Sequence, residues 1–377
     1  MHVSLSRKAG IAAAASLSLS GAALAQSNVS LYGIVDAGYV YSSGERSGDN
    51  SNANFSGINS GVMAGSRLGF KGEENLGNGL KTVFVLEYAL NVDTNAGVGT
   101  ALARQQFIGL NSAKLGQVAF GRQYAPGYLA SARNHAFGGS TVQGPLAILT
   151  GAAGNSITAA AVQSRINNSV SYTSPNWSGL TASAIYGFGE GGGTGADGIS
   201  QGNNGFFGAG LNYARGPLNL DLLFQQRIGV ASNPVATTPV TTVAAQKNIN
   251  EWALMGAYDF KVAKLFGTYQ HQDDDNGSST REGSNHTWSI GATVPVFGNG
   301  LIQASYVRLE WDRRGAGGSD GWALGYRHAL SKRTTLYTTY TLIDNDRTTL
   351  AAAGPISNTA RIGEANGTFT AGLNHTF

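Results

Sequence analysis

The chain has 377 residues, no cysteine, 54 glycines, 12% charged residues and a formal net charge of +3. The missing cysteines exclude a disulfide framework, a thiolate metal site and a thiol nucleophile. So small a charge, +1 once Arg7 and Lys8 are cleaved away, excludes the concentrated basic face of a general nucleic-acid binder.

Arg7 and Lys8 precede an apolar, small-residue run from Ala9 to Leu24 that ends in Ala23-Leu24-Ala25. A basic start, a short apolar middle and an A-x-A end predict a secretory signal peptide over residues 1–25, with the mature chain starting at Gln26. An anchor helix needs about 20 strongly apolar residues. This run is shorter, and Ser16, Ser18, Ser20 and Gly21 interrupt it. No later stretch is apolar enough to cross a bilayer as a helix.

From Asn28 to the last residue one unit repeats: an alternating segment of about ten residues, a turn, a second such segment, then a longer polar loop. In the first segment Leu31, Val35, Ala37 and Tyr39 share one face, and Tyr32, Asp36 and Gly38 the other. The second sets Val62, Ala64, Leu68 and Phe70 against Gly65, Arg67, Gly69 and Lys71. The third opposes Leu80, Phe84, Leu86, Tyr88 and Leu90 to Lys81 and Glu87. The last opposes Phe369, Ala371, Leu373 and Phe377 to Thr368, Thr370, Asn374 and Thr376.

Short turns, such as Asn75–Gly79 and Leu330–Arg333, alternate with long loops rich in Gly, Ser, Asn and Asp. Seven turns and eight loops predict sixteen strands, with the turns periplasmic and the loops outside. The longest connection, Tyr124–Gln163, is out of place in a compact soluble domain but fits a loop folded into a barrel lumen.

The second face carries Asp36, Arg67, Lys81, Glu87, Arg104 and Arg165, too many charges for a packed core. Lipid outside and water inside satisfies both faces, and closure of the sheet pairs every backbone donor and acceptor. The fold class expected is therefore all-β, a sixteen-stranded antiparallel transmembrane barrel over residues 26–377, with its long third outer loop folded into the pore. In Leu301–Asp312 the alternation changes phase: Ile302, Ala304 and Tyr306 oppose Val307, Leu309 and Trp311, and a β-bulge is the expected cause.

Other motifs point to loops. Gly193-Thr194-Gly195-Ala196-Asp197-Gly198 matches G-x-G-x-x-G but is followed by no helical apolar period, so no dinucleotide site is expected. Asp273-Asp274-Asp275 lacks the spacing of an EF-hand and reads as a solvated loop, so no metal site is expected. His375 shares the parity of Leu373 and Phe377 and belongs to an interfacial girdle. No H-E-x-x-H or G-x-S-x-G constellation occurs.

Several segments resemble the Gram-negative porin family, particularly its betaproteobacterial branch. They include Val29-Ser30-Leu31-Tyr32-Gly33 with Asp36, Ser66-Arg67-Leu68-Gly69-Phe70-Lys71-Gly72-Glu73-Glu74-Asn75-Leu76-Gly77 and Gly121-Arg122-Gln123-Tyr124. Asn168-Ser169-Val170-Ser171-Tyr172-Thr173-Ser174-Pro175, Leu330-Ser331-Lys332-Arg333-Thr334 and Gly372-Leu373-Asn374-His375-Thr376-Phe377 extend the likeness to the C-terminus.

The resemblance implies a homotrimeric outer-membrane porin surrounded by outer-membrane lipids, without cofactor or enzymatic activity. The pore would be narrowest between the third loop and a basic ladder of Arg67, Arg104 and Arg165, joined by Arg133 from the loop. Lys81, Asp36 and Glu87 would line the same lumen, and Arg122 would face either the pore or a neighbouring subunit. Phe377 resembles the terminal signature read by the barrel-insertion machinery. Family members often carry acids on the inward loop, whereas this chain has no Asp or Glu from Thr94 to Gly189. Passive diffusion of small hydrophilic solutes with anion preference is therefore expected. A substrate-selective anion channel is the second reading, and an outer-membrane barrel enzyme the third. Saturating flux would mark the second, and absence of flux the third.

Overall fold

The computed structural model describes residues 28–43, 54–94, 103–158, 164–189, 205–230, 247–274, 283–349, 353–356 and 360–377. The leader and its cleavage site, the G-x-G-x-x-G match and Asp275 lie outside the described residues. The strands are β1 (Asn28–Ser42), β2 (Phe55–Ser60), β3 (Arg67–Gly77), β4 (Leu80–Ala89), β5 (Ala103–Ser112), β6 (Gly116–Tyr124), β7 (Arg165–Thr173) and β8 (Leu180–Gly187). They continue as β9 (Gly205–Arg215), β10 (Leu218–Val230), β11 (Lys247–Asp259), β12 (Lys264–Asp274), β13 (Asn285–Val296), β14 (Gly300–Trp311), β15 (Gly318–Ala329), β16 (Thr334–Asn345) and β17 (Ala365–Thr376).

Apart from β2 and β3, which both pair with β1, each strand pairs antiparallel with its neighbours in chain order, and β17 returns to β1 from Ile34↔Thr376 to Ser42↔Thr368. The sheet is therefore closed and leaves no edge for lipid to meet. β1 pairs with β3 along its first half and with β2 along its second, so these two segments are one wall strand in two pieces. The wall counts sixteen strands, as the alternation predicts.

The break between β2 and β3 corrects the reading of the second segment. Gly61 takes φ +73°, a left-handed conformation that glycine adopts at little steric cost. Residues 61–66 leave the wall there, and Gly61 donates its N–H to the Asp36 carbonyl (2.8 Å). Val62 is thus not on the lipid face. It is fully buried with Val40 and Tyr337.

The alternation separates two environments. Leu31, Val35, Tyr39, Phe369 and Leu373 are exposed on the outer face, while Asp36, Thr368, Thr370 and Asn374 are buried on the inner one. Outer-face aromatics cluster across β11–β15: Trp252 against Tyr269 (5.2 Å between ring centres), Trp288 against Tyr306 (5.2 Å), and Tyr306 against Trp322 (4.3 Å). Such a girdle suits the headgroup region of a bilayer.

After β6 the chain forms α1 (Pro126–Arg133) and α2 (Pro145–Ala152), each opened by a proline whose fixed φ suits a first helical turn. α1 rests on β8–β11 and α2 on β14–β16. Between them Ser140 Oγ donates to the Val62 carbonyl (2.8 Å), and Gln143 Nε2 donates to Thr370 Oγ1 (3.0 Å). The loop therefore packs on the inner face of strands on several sides of the barrel. Small wall residues make room for it: a Cβ at Gly321 would stand 2.7 Å from Pro145 Cβ, and one at Gly325 would stand 2.9 Å from Phe137 Cε1.

This packing also corrects the expected bulge in β14. The register with β13 and β15 is continuous through Leu301–Glu310. Val307, Leu309 and Trp311 stay on the inner face and are buried with Leu146, Ile148 and Leu149 of α2. The apolar phase changes because the inner wall is covered by a helix at that height, not because the strand slips.

Candidate functional site: the inner wall beside the loop

β3, β4 and β5 place Arg67, Glu87 and Arg104 side by side on the inner face. Glu87 is at the centre. Its Oε1 accepts from Arg104 Nε at 2.8 Å and lies 3.9 Å from Arg67 Nη1. Its Oε2 accepts from the Tyr32 hydroxyl at 3.0 Å. Arg104 Nη2 also donates to the Tyr124 hydroxyl (2.8 Å), and Arg67 Nε donates to the Gly65 carbonyl (2.9 Å). The guanidinium carbon of Arg165 lies 5.3 and 5.8 Å from the ring centres of Tyr124 and Tyr128, which stack 4.4 Å apart. Two guanidinium groups thus share the Glu87 carboxylate, and Arg165 stands against the tyrosine whose hydroxyl Arg104 also reaches.

The other expected pore residues lie elsewhere. Lys81 pairs with Glu73 at 2.8 Å beside the short β3–β4 turn, at the periplasmic mouth. Asp36 is fully buried, so its inward parity does not bring it to an open surface. It accepts from the Met63 N–H (3.1 Å), the Tyr337 hydroxyl (3.1 Å) and Asn374 Nδ2 (2.8 Å). Arg133 ends α1 and forms a two-pronged pair with Asp221 of β10, Nε at 3.1 Å and Nη2 at 2.5 Å. Asn134 Nδ2 reaches the same carboxylate at 2.6 Å. Arg122 shares a face with the exposed Val118 and Phe120, and its side chain donates to the Ala103 carbonyl (2.8 Å) and to Asn167.

Sequence reasoning missed the fixtures that hold the loop to the wall. Glu251 of β11 accepts from the backbone N–H of Ser156 (2.8 and 2.9 Å), the Ser156 hydroxyl (2.8 Å) and the Ile157 N–H (3.1 Å). Arg227 of β10 balances it at 3.0 Å. Asp221, Arg227 and Glu251 all lie on the polar face of alternating strands, a signal that was present, but parity does not identify their partners across the lumen. Among the described residues no group of His, Cys, Asp or Glu is placed to hold a metal ion.

A wall of this kind, apolar outside and charged inside, is built for passage of water-soluble species. A family model described as Gram-negative porin matches residues 10–348. The chain belongs to the Gram-negative porin family. Outer membrane porin protein 32 of Delftia acidovorans is 31% identical over 98% of this chain and 100% of its own length. An outer membrane porin protein of Bordetella pertussis is 30% identical, covering 88% of this chain and 92% of its own. Among solved structures, the anion-selective porin from Comamonas acidovorans superposes with a TM-score of 0.74 at 26% identity, over 93% of this chain and 100% of that one. The trimer form of OmpT from Vibrio cholerae, at 17% identity and TM-score 0.61, shares the fold over 93% of this chain and 99% of that one. The porin is thus an outer-membrane channel with a water-filled lumen, a reading on which family, relatives and barrel agree.

Proposed function

We propose that this porin passes small hydrophilic solutes by passive diffusion, without catalysis, and prefers anions. The observation that carries the preference is the pairing of both Arg67 and Arg104 with the single carboxylate of Glu87, with Arg165 against the Tyr124 ring beside them. These residues stand beside a loop with no Asp or Glu from Thr94 to Gly189. Rings of basic side chains favour anions, and low-dielectric walls focus their field. The similarity to an anion-selective porin supports the same reading. On this reading the lumen is narrowest between the loop and the Arg67–Arg104 wall.

The test is the zero-current potential across a planar bilayer in a KCl gradient. Wild type should give a potential of anion sign, and Arg104→Glu should move it towards cations. Cation preference in wild type overturns the proposal.

The functional unit is proposed to be a homotrimer, packed through apolar outer surface such as Leu31, Val35, Leu336 and Leu373. Native mass measurement in mild detergent tests it, and a purely monomeric population counts against it. Export by a leader cleaved after Ala25 is part of the same reading, and intact mass of the membrane form checks it.

A further inference from the structure

On the inner face of β15 the residues from the outer end inward are Ser319, Gly321, Ala323, Gly325 and Arg327, opposite the exposed Trp322 and Leu324. The loop covers the middle of this row: Gly321 and Gly325 lie under Pro145 and Phe137, and Ala323 is buried with Phe137. Arg327 is the next inner residue towards the periplasmic turn, just beyond the loop.

Its setting differs from that of the other wall arginines. Arg67 and Arg104 share Glu87 and Arg227 has Glu251, as Arg133 of α1 has Asp221. Among the described residues Arg327 has no hydrogen bond and no ion pair, and its Nε is buried without a partner. The inner-face neighbours on the adjoining strands, Leu301 and Gln303 of β14 and Tyr337 and Thr339 of β16, carry no charge. Asp36 is the carboxylate whose field reaches Arg327, but it is fully buried and already accepts from Met63, Tyr337 and Asn374. A half-buried guanidinium with five donors and no protein acceptor is stabilised by an acceptor from solution. Small anions crossing a water-filled lumen are the acceptors at hand.

We propose that Arg327 is a second selectivity station, a site on the periplasmic side of the loop where small inorganic anions lodge as they cross. It continues the basic arc of Arg67, Arg104 and Arg165 past Asp36 to the far side of β1. The inference rests on the anion preference proposed above and adds a residue to it.

The experiment compares zero-current potentials in a KCl gradient for wild type, Arg327→Gln, Arg327→Lys and Arg308→Gln. Arg308 lies on the outer face among Glu310, Asp320 and Asp346, so its loss removes the same charge outside the lumen. Arg327→Gln should lower the chloride-to-potassium permeability ratio about threefold at low salt, with the difference fading as salt rises. Arg327→Lys should keep most of the ratio, which ties the effect to charge rather than to shape. Arg308→Gln should leave it unchanged. Each variant is first checked for a folded barrel by its heat-dependent gel migration. An anion-preferring wild type whose ratio is unchanged in Arg327→Gln overturns this proposal and leaves the general preference standing. A cation-preferring wild type overturns both.

Discussion

The Glu87 carboxylate sits 2.8 Å from Arg104 Nε and 3.9 Å from Arg67 Nη1, with its side chain almost wholly buried. It holds two like charges together on the wall, and on the proposed anion reading it subtracts one unit from the field that an ion in the lumen meets. Structure and selectivity therefore pull in opposite directions at this residue.

Glu87→Gln should strengthen anion preference. An uncompensated unit charge about 4 Å from a permeating ion is worth about 1 kcal/mol in water, which is about fivefold in relative permeability at low salt. The measurement is the zero-current potential at low and high KCl, and the difference from wild type should shrink as salt screens it. An unchanged potential would show that Glu87 does not face the permeation path. The same variant should unfold more readily, because Arg67 and Arg104 lose the group that binds them together.

Glu251→Gln should loosen the end of the inward loop. The carboxylate is buried, accepts three donors from Ser156 and Ile157 and neutralises Arg227. An amide turns one acceptor into a donor that faces other donors, and it removes the carboxylate that pairs with Arg227. Removing one partner of a buried pair costs about 3–5 kcal/mol. Single-channel records should show added current noise and brief closures, and channels as quiet as wild type would remove Glu251 from this role.

The sequence makes the wall legible because lipid and water impose opposite demands at every second residue. Leu31 against Asp36 and Leu373 against Asn374 can be read without coordinates for that reason. The reading fails where the inner face meets protein instead of water. Val307 and Leu309 look like lipid-facing residues, yet they lie under Leu146 and Leu149. Val62 has the same composition cue and the same kind of fate, because Gly61 turns its segment inward. Parity brings Arg67 and Glu87 to one surface, whereas Arg104 has the parity of the exposed Ile108 and Leu110 and joins them because the β4–β5 register shifts beside it. Nor does parity distinguish Arg67, paired at 3.9 Å, from Arg327, which has no ion pair among the described residues, since that difference arises between strands distant in sequence. Pro126 and Pro145 did carry a local signal, for each opens a helix within the long loop.

Barrel closure should depend on the fit of Phe377 over Gly33. The two residues exchange backbone hydrogen bonds at 3.1 and 3.2 Å, and the ring covers the glycine so closely that a Cβ there would overlap it. The same Cβ would lie 2.6 Å from the Arg67 carbonyl on the other side. Gly33→Val and deletion of Phe377 should therefore both reduce the fraction of folded barrel in the outer membrane, read as heat-dependent gel migration. Deletion of Phe377 removes the ring and two hydrogen bonds without adding bulk, so normal assembly after it would show that closure does not need this residue.

The seating of the loop should weaken in acid through His135. The ring is buried, its Nε2 lies 3.0 Å from Ser305 Oγ on β14, and its Nδ1 accepts from the Phe137 N–H at 3.3 Å. Nδ1 is therefore unprotonated and Nε2 is the donor, which makes the imidazole neutral. Burial lowers its pKa from 6.5 to about 4. Once the loop is released the histidine returns towards its ordinary value, so between pH 6.5 and 4 the released state binds the proton that the seated state refuses. By linkage, stability falls as pH falls through that window and is unaffected by this group above it. A shift of this size corresponds to about 3 kcal/mol by about pH 4. His135→Gln keeps a neutral polar side chain that does not titrate. Thermal midpoints measured from about pH 7.5 to about pH 4.5 should fall more steeply for wild type than for His135→Gln, with the two converging in slope above about pH 7. Parallel curves throughout would show that His135 is protonated as easily in the seated loop as in the released one.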